Sequence, residues 1–269
     1  MVLGGGLRGA DAGGDCGGGG VGGGGGNAVG HMIDCDVQGV EFICANTDAQ
    51  ALTRSDAHRT IQLGTSGLGA GSKPDKGREA AELAVDDIRA AIEGAHMLFI
   101  TAGMGGGTGT GAAPVIAEIA KGTGALVFLT ATMPFSFEGK RRLKQAEESL
   151  EQIQKRTDAL ILFENNRMGE LILPKDGIQK AFTQADQLIA QSLRAVSTIV
   201  TTPGLVKLGL DDLTAALSTS NGRCLFGFGE ARGQNRGSEA LKRALKSPLI
   251  DQGRLLHQTK TLLVHIAGG

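Results

Sequence analysis

An α/β fold, built on a mostly parallel sheet with helices on both faces, is predicted by three features of this sequence. Short, continuously apolar runs recur along the chain, as strands buried on both faces require. Amphipathic stretches at helical spacing separate them. Glycine-rich turns fall between strand and helix, at the carboxyl edge where such sheets bind ligands.

The elements follow in order. The first 26 residues are more than half glycine, and disorder is expected through residue 18. Asp15-Cys16-Gly17-Gly18-Gly19 has almost no β-forming character, so no clear strand is predicted there. Residues 40–45, 97–100, 126–130 and 160–163 are the apolar strands. Residues 74–94 read as a helix, with Ala81, Val85, Ile88 and Ile92 on one face. Residues 112–121 and 138–156 are further helices. Residues 178–201 form a longer helix, stopped by Pro203-Gly204. A smaller unit follows: helix 212–217, strand 224–228, helix 238–245 and strand 261–266.

Composition removes several function classes. The net charge is -1, and the chain has no Trp and no Tyr. A general pull toward nucleic acid and base stacking on aromatic platforms are both disfavoured. Cys16, Cys35, Cys44 and Cys224 form no C-x-x-C pair, and the five histidines lack ligand spacing. No direct side-chain metal site is expected. No apolar run reaches the roughly 18 residues of a membrane span, so no membrane insertion is expected and a cytoplasmic location is the default.

The chemistry lies in the glycine loops. A phosphate chain needs several backbone N–H groups aimed at one place, with no side chain in the way. A glycine turn that opens a helix supplies both. Gly105-Gly106-Gly107-Thr108-Gly109-Thr110-Gly111 meets this requirement between the strand at 97–101 and the helix at 112–121. A second loop holds Gly23, Gly24, Gly25, Gly26 and Asn27, and a third holds Gly67-Leu68-Gly69-Ala70-Gly71. No G-K-[ST] follows any loop, so none is a P-loop. A dinucleotide site remains an alternative, with Asp48 as the ribose-binding acid. A second large cradle favours a triphosphate instead. Its charge would be met by N–H groups, Mg2+ and Arg142.

These residues resemble the tubulin/FtsZ family, and its bacterial cell-division branch most of all. The resemblance rests on residues 100–114, on Asn46-Thr47-Asp48-Ala49-Gln50-Ala51-Leu52, on residues 67–71 and on Pro134-Phe135-Ser136-Phe137-Glu138-Gly139. It runs from about residue 20 to residue 269. It implies a Rossmann-like GTPase domain over residues 19–177, a long central helix over 178–202 and a partial second α+β domain over 203–269. It implies GTP or GDP with Mg2+, head-to-tail homopolymers and a place at the septal ring beside other division-ring proteins.

Carried over by position, Gly23 to Asn27 border the nucleotide, as do Asp48, Gly69, Ala70, Gly71 and Pro134. Gly107, Thr108, Gly109 and Thr110 hold phosphates. Glu138 and Arg142 approach ribose and phosphate. Asn165 and Asp186 read guanine, with Phe182 packed on the base. Without the resemblance, Asp186 reads equally as a solvated helix residue, Arg142 as a surface charge beside Lys140 and Arg141, and Phe182 as core. Glu138 alone reads as an early-helix acid.

In the family, the loop after the long helix of one copy completes the site of the next, through Asn-x-Asp-x-x-Asp. Here the stretch is Lys207-Leu208-Gly209-Leu210-Asp211-Asp212. Asp212 is the expected hydrolytic acid, with Asp211 beside it. Lys207 and Gly209 replace two family residues, which is expected to slow hydrolysis. The family's last strands and its tail for membrane-tethering partners have no counterpart in this sequence.

Overall fold

The computed structural model describes residues 2–5, 16–34, 40–166, 183, 186–192, 194–195, 210–218, 223–247, 250, 256–257, 259 and 261–268. Eight strands form one sheet. They are β1 (Val2–Gly5), β2 (Cys16–Val21), β3 (Val40–Asn46), β4 (Arg59–Gln62), β5 (Met97–Gly103), β6 (Leu126–Met133), β7 (Ala159–Glu164) and β8 (Arg223–Cys224). Their order is β4-β3-β1-β2-β5-β6-β7-β8. Only β1 runs antiparallel to its neighbours, β2 and β3. The remaining pairs are parallel.

Side-chain alternation splits each central strand between two cores. Leu98, Ile100, Val127, Leu129 and Leu160 face one layer. That layer holds α3 (Pro74–Leu83), α4 (Val85–Ile92), α5 (Thr108–Gly122) and α6 (Lys140–Gln154). Met97, Phe99, Phe128, Ile161 and Phe163 face the other side. There they meet α1 (Gly22–Asp34) through Ala28, Val29 and Met32, and α7 (Leu210–Ser218) through Leu213. Two further helices are α2 (Ala49–Thr53) and α8 (Arg236–Leu245).

The structure departs from expectation at four places. Disorder was expected through residue 18, yet β1 and β2 are strands. β2 pairs in register with β5 from Cys16↔Met97 to Val21↔Ala102. A ladder is made by backbone groups, and pairing with buried β5 overrides glycine's poor propensity. The helix expected over 74–94 is broken at Ala84, which caps both α3 and α4 with φ -105° and ψ 19°. In the smaller unit, only Cys224 of the strand expected at 224–228 joins the sheet, with Arg223 before it. Residues 261–268 form no strand and are exposed. Of the expected central helix, 183, 186–192 and 194–195 are helical. The rest of it lies outside the described residues.

Helices α3 and α5 cross with their backbones nearly touching, because glycines stand at the crossing. A Cβ on Gly77 would run into the Gly107 carbonyl. One on Gly111 would run into the Pro74 carbonyl and stand 2.6 Å from the Arg78 nitrogen. Gly122, near the far end of α5, has nothing within 4 Å of a built Cβ. Gly111→Ala is therefore expected to lower stability by about 1–3 kcal/mol through overpacking. Gly122→Ala should be neutral or stabilising by up to about 1 kcal/mol. Urea unfolding of the two variants checks both, and equal stabilities would refute the crossing as described.

Candidate functional site

β2 and β5 are parallel neighbours, so the helices that follow them start side by side at the carboxyl edge. α1 begins at Gly22, directly after Val21. Gly23, Gly24, Gly25, Gly26 and Asn27 thus lie in its first turns rather than in an open loop. The first N–H groups of a helix have no partner within it and face outward along its axis. Gly25 is buried, Gly26 is partly covered and Asn27 is exposed.

The loop before α5 is wedged from two sides. A Cβ on Gly107 would stand 2.7 Å from Ala70 Cβ, 2.9 Å from the Lys73 nitrogen and 3.1 Å from the Ser72 nitrogen. On the other side, a Cβ on Gly105 would meet the Arg142 carbonyl at 2.8 Å and Pro134 Cγ at 3.1 Å. Gly105 also has φ +83°, which favours glycine. A Cβ on Gly109 would strike the Gly103 carbonyl. The structure therefore gathers Gly107, Thr108 and Gly109 with Ala70, Pro134 and Arg142. Gly69 and Gly71 have φ +79° and +56°, and they bend the third loop into place.

Two threonines continue this edge. Thr108 Oγ1 lies 2.5 Å from Oγ1 of Thr47, which is buried at the end of β3. The Thr47 carbonyl accepts from Gly69 N–H at 3.0 Å. Thr110 is buried, and its Oγ1 has no hydrogen-bond partner. Its carbonyl would normally bond the N–H four residues on, but that residue is Pro114, which has none. Ser149 Oγ, from α6, donates to it instead at 2.8 Å.

Asp48 has a local task. Its Oδ1 caps α2, accepting from Gln50 N at 2.9 Å and Ala51 N at 3.3 Å. Glu138 and Arg142 pair with each other, at 2.6 Å. The second Glu138 oxygen accepts from Phe135 N–H at 2.9 Å, fixing the turn after β6. Phe135 stacks on Phe137 there. The Ser136 N–H reaches Asn166 Oδ1 at 2.9 Å, tying this turn to the end of β7. Next to it, Asn165 is 3% exposed, and its Oδ1 has no partner.

The remaining candidates are less gathered. Asp186 is half-buried in the helical segment 186–192, whose Ile189 and Ala190 share a core with Phe163. Asp211 and Asp212 are exposed in the first turn of α7 and are not among the residues that wedge the glycine loops. Phe182, Lys207 and Gly209 lie outside the described residues. Among the described residues, no three His, Cys, Asp or Glu side chains converge to hold a metal ion. No helix there is long and apolar enough to cross a membrane. Sequence reasoning assigned no role to Thr47 and passed over Ser149. The signal for Ser149 was Pro114, four residues after Thr110. Thr47 offered only a buried polar residue at a strand end, 61 residues from its partner.

Comparison with known proteins gives a consistent result. A family model described as the GTPase domain of the Tubulin/FtsZ family matches residues 19–172. The FtsZ family C-terminal domain matches residues 222–269. The chain is 44% identical over 245 residues to cell division protein FtsZ 1 of Thermococcus kodakarensis, covering 90% of this chain and 65% of the relative. It is 45% identical over 246 residues to cell division protein FtsZ of Rhizobium radiobacter, covering 90% of this chain and 42% of the relative. It thus spans less than two thirds of either relative. Among solved structures, an empty FtsZ dimer from M. jannaschii superposes with a TM-score of 0.83 at 38% identity, over 90% of this chain and 70% of that one. A GTPgS-bound protofilament of CetZ2 from Haloferax volcanii gives 0.71 at 22% identity, over 82% and 67%, and so shares the fold alone.

The Glu138 contacts yield a graded expectation. Glu138→Ala removes the acceptor of the Phe135 amide and should cost about 1 kcal/mol. Glu138→Gln keeps that acceptor and loses mainly an exposed ion pair, worth roughly 0.3–0.5 kcal/mol. Urea midpoints of the nucleotide-free protein should fall in that order. Equal midpoints would show that the ion pair, which both variants remove, rather than the turn, is what Glu138 maintains.

Proposed function

The chain belongs to the tubulin/FtsZ family, and we propose that it is a self-assembling GTPase of cell division, hydrolysing GTP where one copy meets the next. The observation that carries this reading is the wedge at Gly107. Two loops press together so closely there that a side chain would be excluded, which leaves a surface of backbone for an anion.

The base end supports guanine. A buried amide oxygen without a partner is costly unless a ligand supplies the donor. Asn165 Oδ1 is such an acceptor, and guanine carries ring and exocyclic N–H donors. The Asp186 carboxylate would accept from that same edge, a pair that adenine lacks. Phe182 would pack on the base. Glu138 and Arg142 would exchange part of their mutual pairing for ribose and phosphate contacts. Gly69, Ala70, Gly71, Gly107, Thr108, Gly109 and Thr110 would surround the phosphates, with Gly23 to Asn27 at the neighbouring helix start. Mg2+ would arrive on the phosphate oxygens and neutralise their charge.

Hydrolysis would need a second copy. Asp212 is exposed at the start of α7, where an adjoining molecule can be reached, and it would orient the attacking water there with Asp211 beside it. Assembly would be head-to-tail, in the cytoplasm at the septum, with other division-ring proteins. One sequence observation favours a second reading. Lys207 and Gly209 stand in the activating loop, which suits a GTP-binding filament subunit with little hydrolysis.

Turnover measured against protein concentration, with sedimentation, tests the proposal. Specific activity should rise as the protein pellets, and Asp212→Ala should lower it about a hundredfold or more. Constant low turnover, raised by Lys207→Asn with Gly209→Asp, would select the second reading. Base recognition is tested separately. Asp186→Asn should weaken GTP by about tenfold or more and strengthen xanthosine triphosphate, whose 2-oxo group accepts from an amide. Unchanged preference in competition binding would remove Asp186 from the base site.

A further inference from the structure

We propose that Thr47 is a positioning residue that sets the direction of the Thr108 hydroxyl proton and so controls how Thr108 meets the nucleotide's phosphate chain. The inference rests on the GTP-binding reading above. Thr47 is 4% exposed, and its Oγ1 lies 2.5 Å from Thr108 Oγ1. Each hydroxyl has one proton, so one of the two donates and the other accepts. If Thr108 donates to Thr47, its proton is unavailable to an anion. If Thr47 donates, Thr108 accepts and its own proton points outward. A phosphate oxygen carries no proton, so it selects the second arrangement. The result is a chain from Thr47 to Thr108 to phosphate, in which each bond polarises the next.

Thr47 is well held for this purpose. Its backbone carbonyl accepts from Gly69 N–H at 3.0 Å, and the next residue, Asp48, caps α2. The one residue thereby joins the end of β3 to the third glycine loop through its backbone and to the loop before α5 through its side chain. The hydroxyl therefore acts from a fixed site.

Thr47→Val keeps the branched shape and removes only the hydroxyl. Calorimetric titration with GTP and Mg2+ should show affinity weakened roughly five- to tenfold. Thr47→Ser should bind within about twofold of the parent, because it restores the donor. In a Thr108→Val background, Thr47→Val should weaken binding no further, since its partner is gone. A merely structural role would persist in that background. If Thr47→Val fails to fold, Thr47→Cys, with its weak S–H donor, carries the same comparison. Unchanged affinity in the single variant, or an undiminished loss in the Thr108→Val background, overturns the proposal. A parent chain that binds no guanine nucleotide overturns the GTP reading itself, and this inference with it.

Discussion

The approach of Gly107 to the turn at Ala70, Ser72 and Lys73 is the contact on which the site depends. No side chain fits at that spacing. It is held by the α3–α5 crossing, where Gly77 and Gly111 let two helix backbones meet. The crossing in turn rests on the apolar face of the sheet, through Ala80, Ala81, Ala112, Ala113 and Ile116. Small residues dominate this layer because close helices leave no room for larger ones. The hydrophobic effect supplies the driving force, and the glycines decide how near the loops come.

The second tie is polar. Glycine loops expose backbone groups that a folded chain would otherwise pair, so their shape must be imposed from outside. Thr47 holds the third loop and Thr108 together. Pro134 and the Arg142 backbone close the opposite side. Glu138 fixes the turn from which Arg142's helix departs. The candidate ligand contacts thus follow five different strands, and the shared direction of β2, β4, β5, β6 and β7 delivers them to one edge.

Much of this could be read from the sequence, for physical reasons. β5, β6 and β7 are buried on both faces, and unbroken apolar runs record that directly. The loop at 105–111 was visible because glycine is costly unless close approach needs it. β1 and β2 were invisible, since a glycine strand has no side-chain pattern and its pairing is a property of β5. The break at Ala84 carries no Pro or Gly marker. The strand expected at 261–266 was read from an apolar run, but a run alone does not provide a pairing partner. The Thr47–Thr108 and Ser149–Thr110 bonds join residues far apart in the chain, and one sequence holds no record of such pairs. Beside its expected place at the nucleotide, Asp48 caps a helix through Oδ1, a task its position before Ala49 already suggests.

The Pro114 gap in α5 has a consequence for how this chain can change over time. Thr110's carbonyl takes a donor from another helix, because the residue four on in its own helix is a proline without an N–H. Loss of Ser149 alone would strand a buried acceptor beside the glycine loop. Loss of Pro114 alone would restore the helix's own donor and leave the serine redundant. The two positions, 35 residues apart in the chain (149 against 114), therefore form one inherited unit. Drift at the proline relaxes selection on the serine, while drift at the serine is penalised for as long as the proline remains.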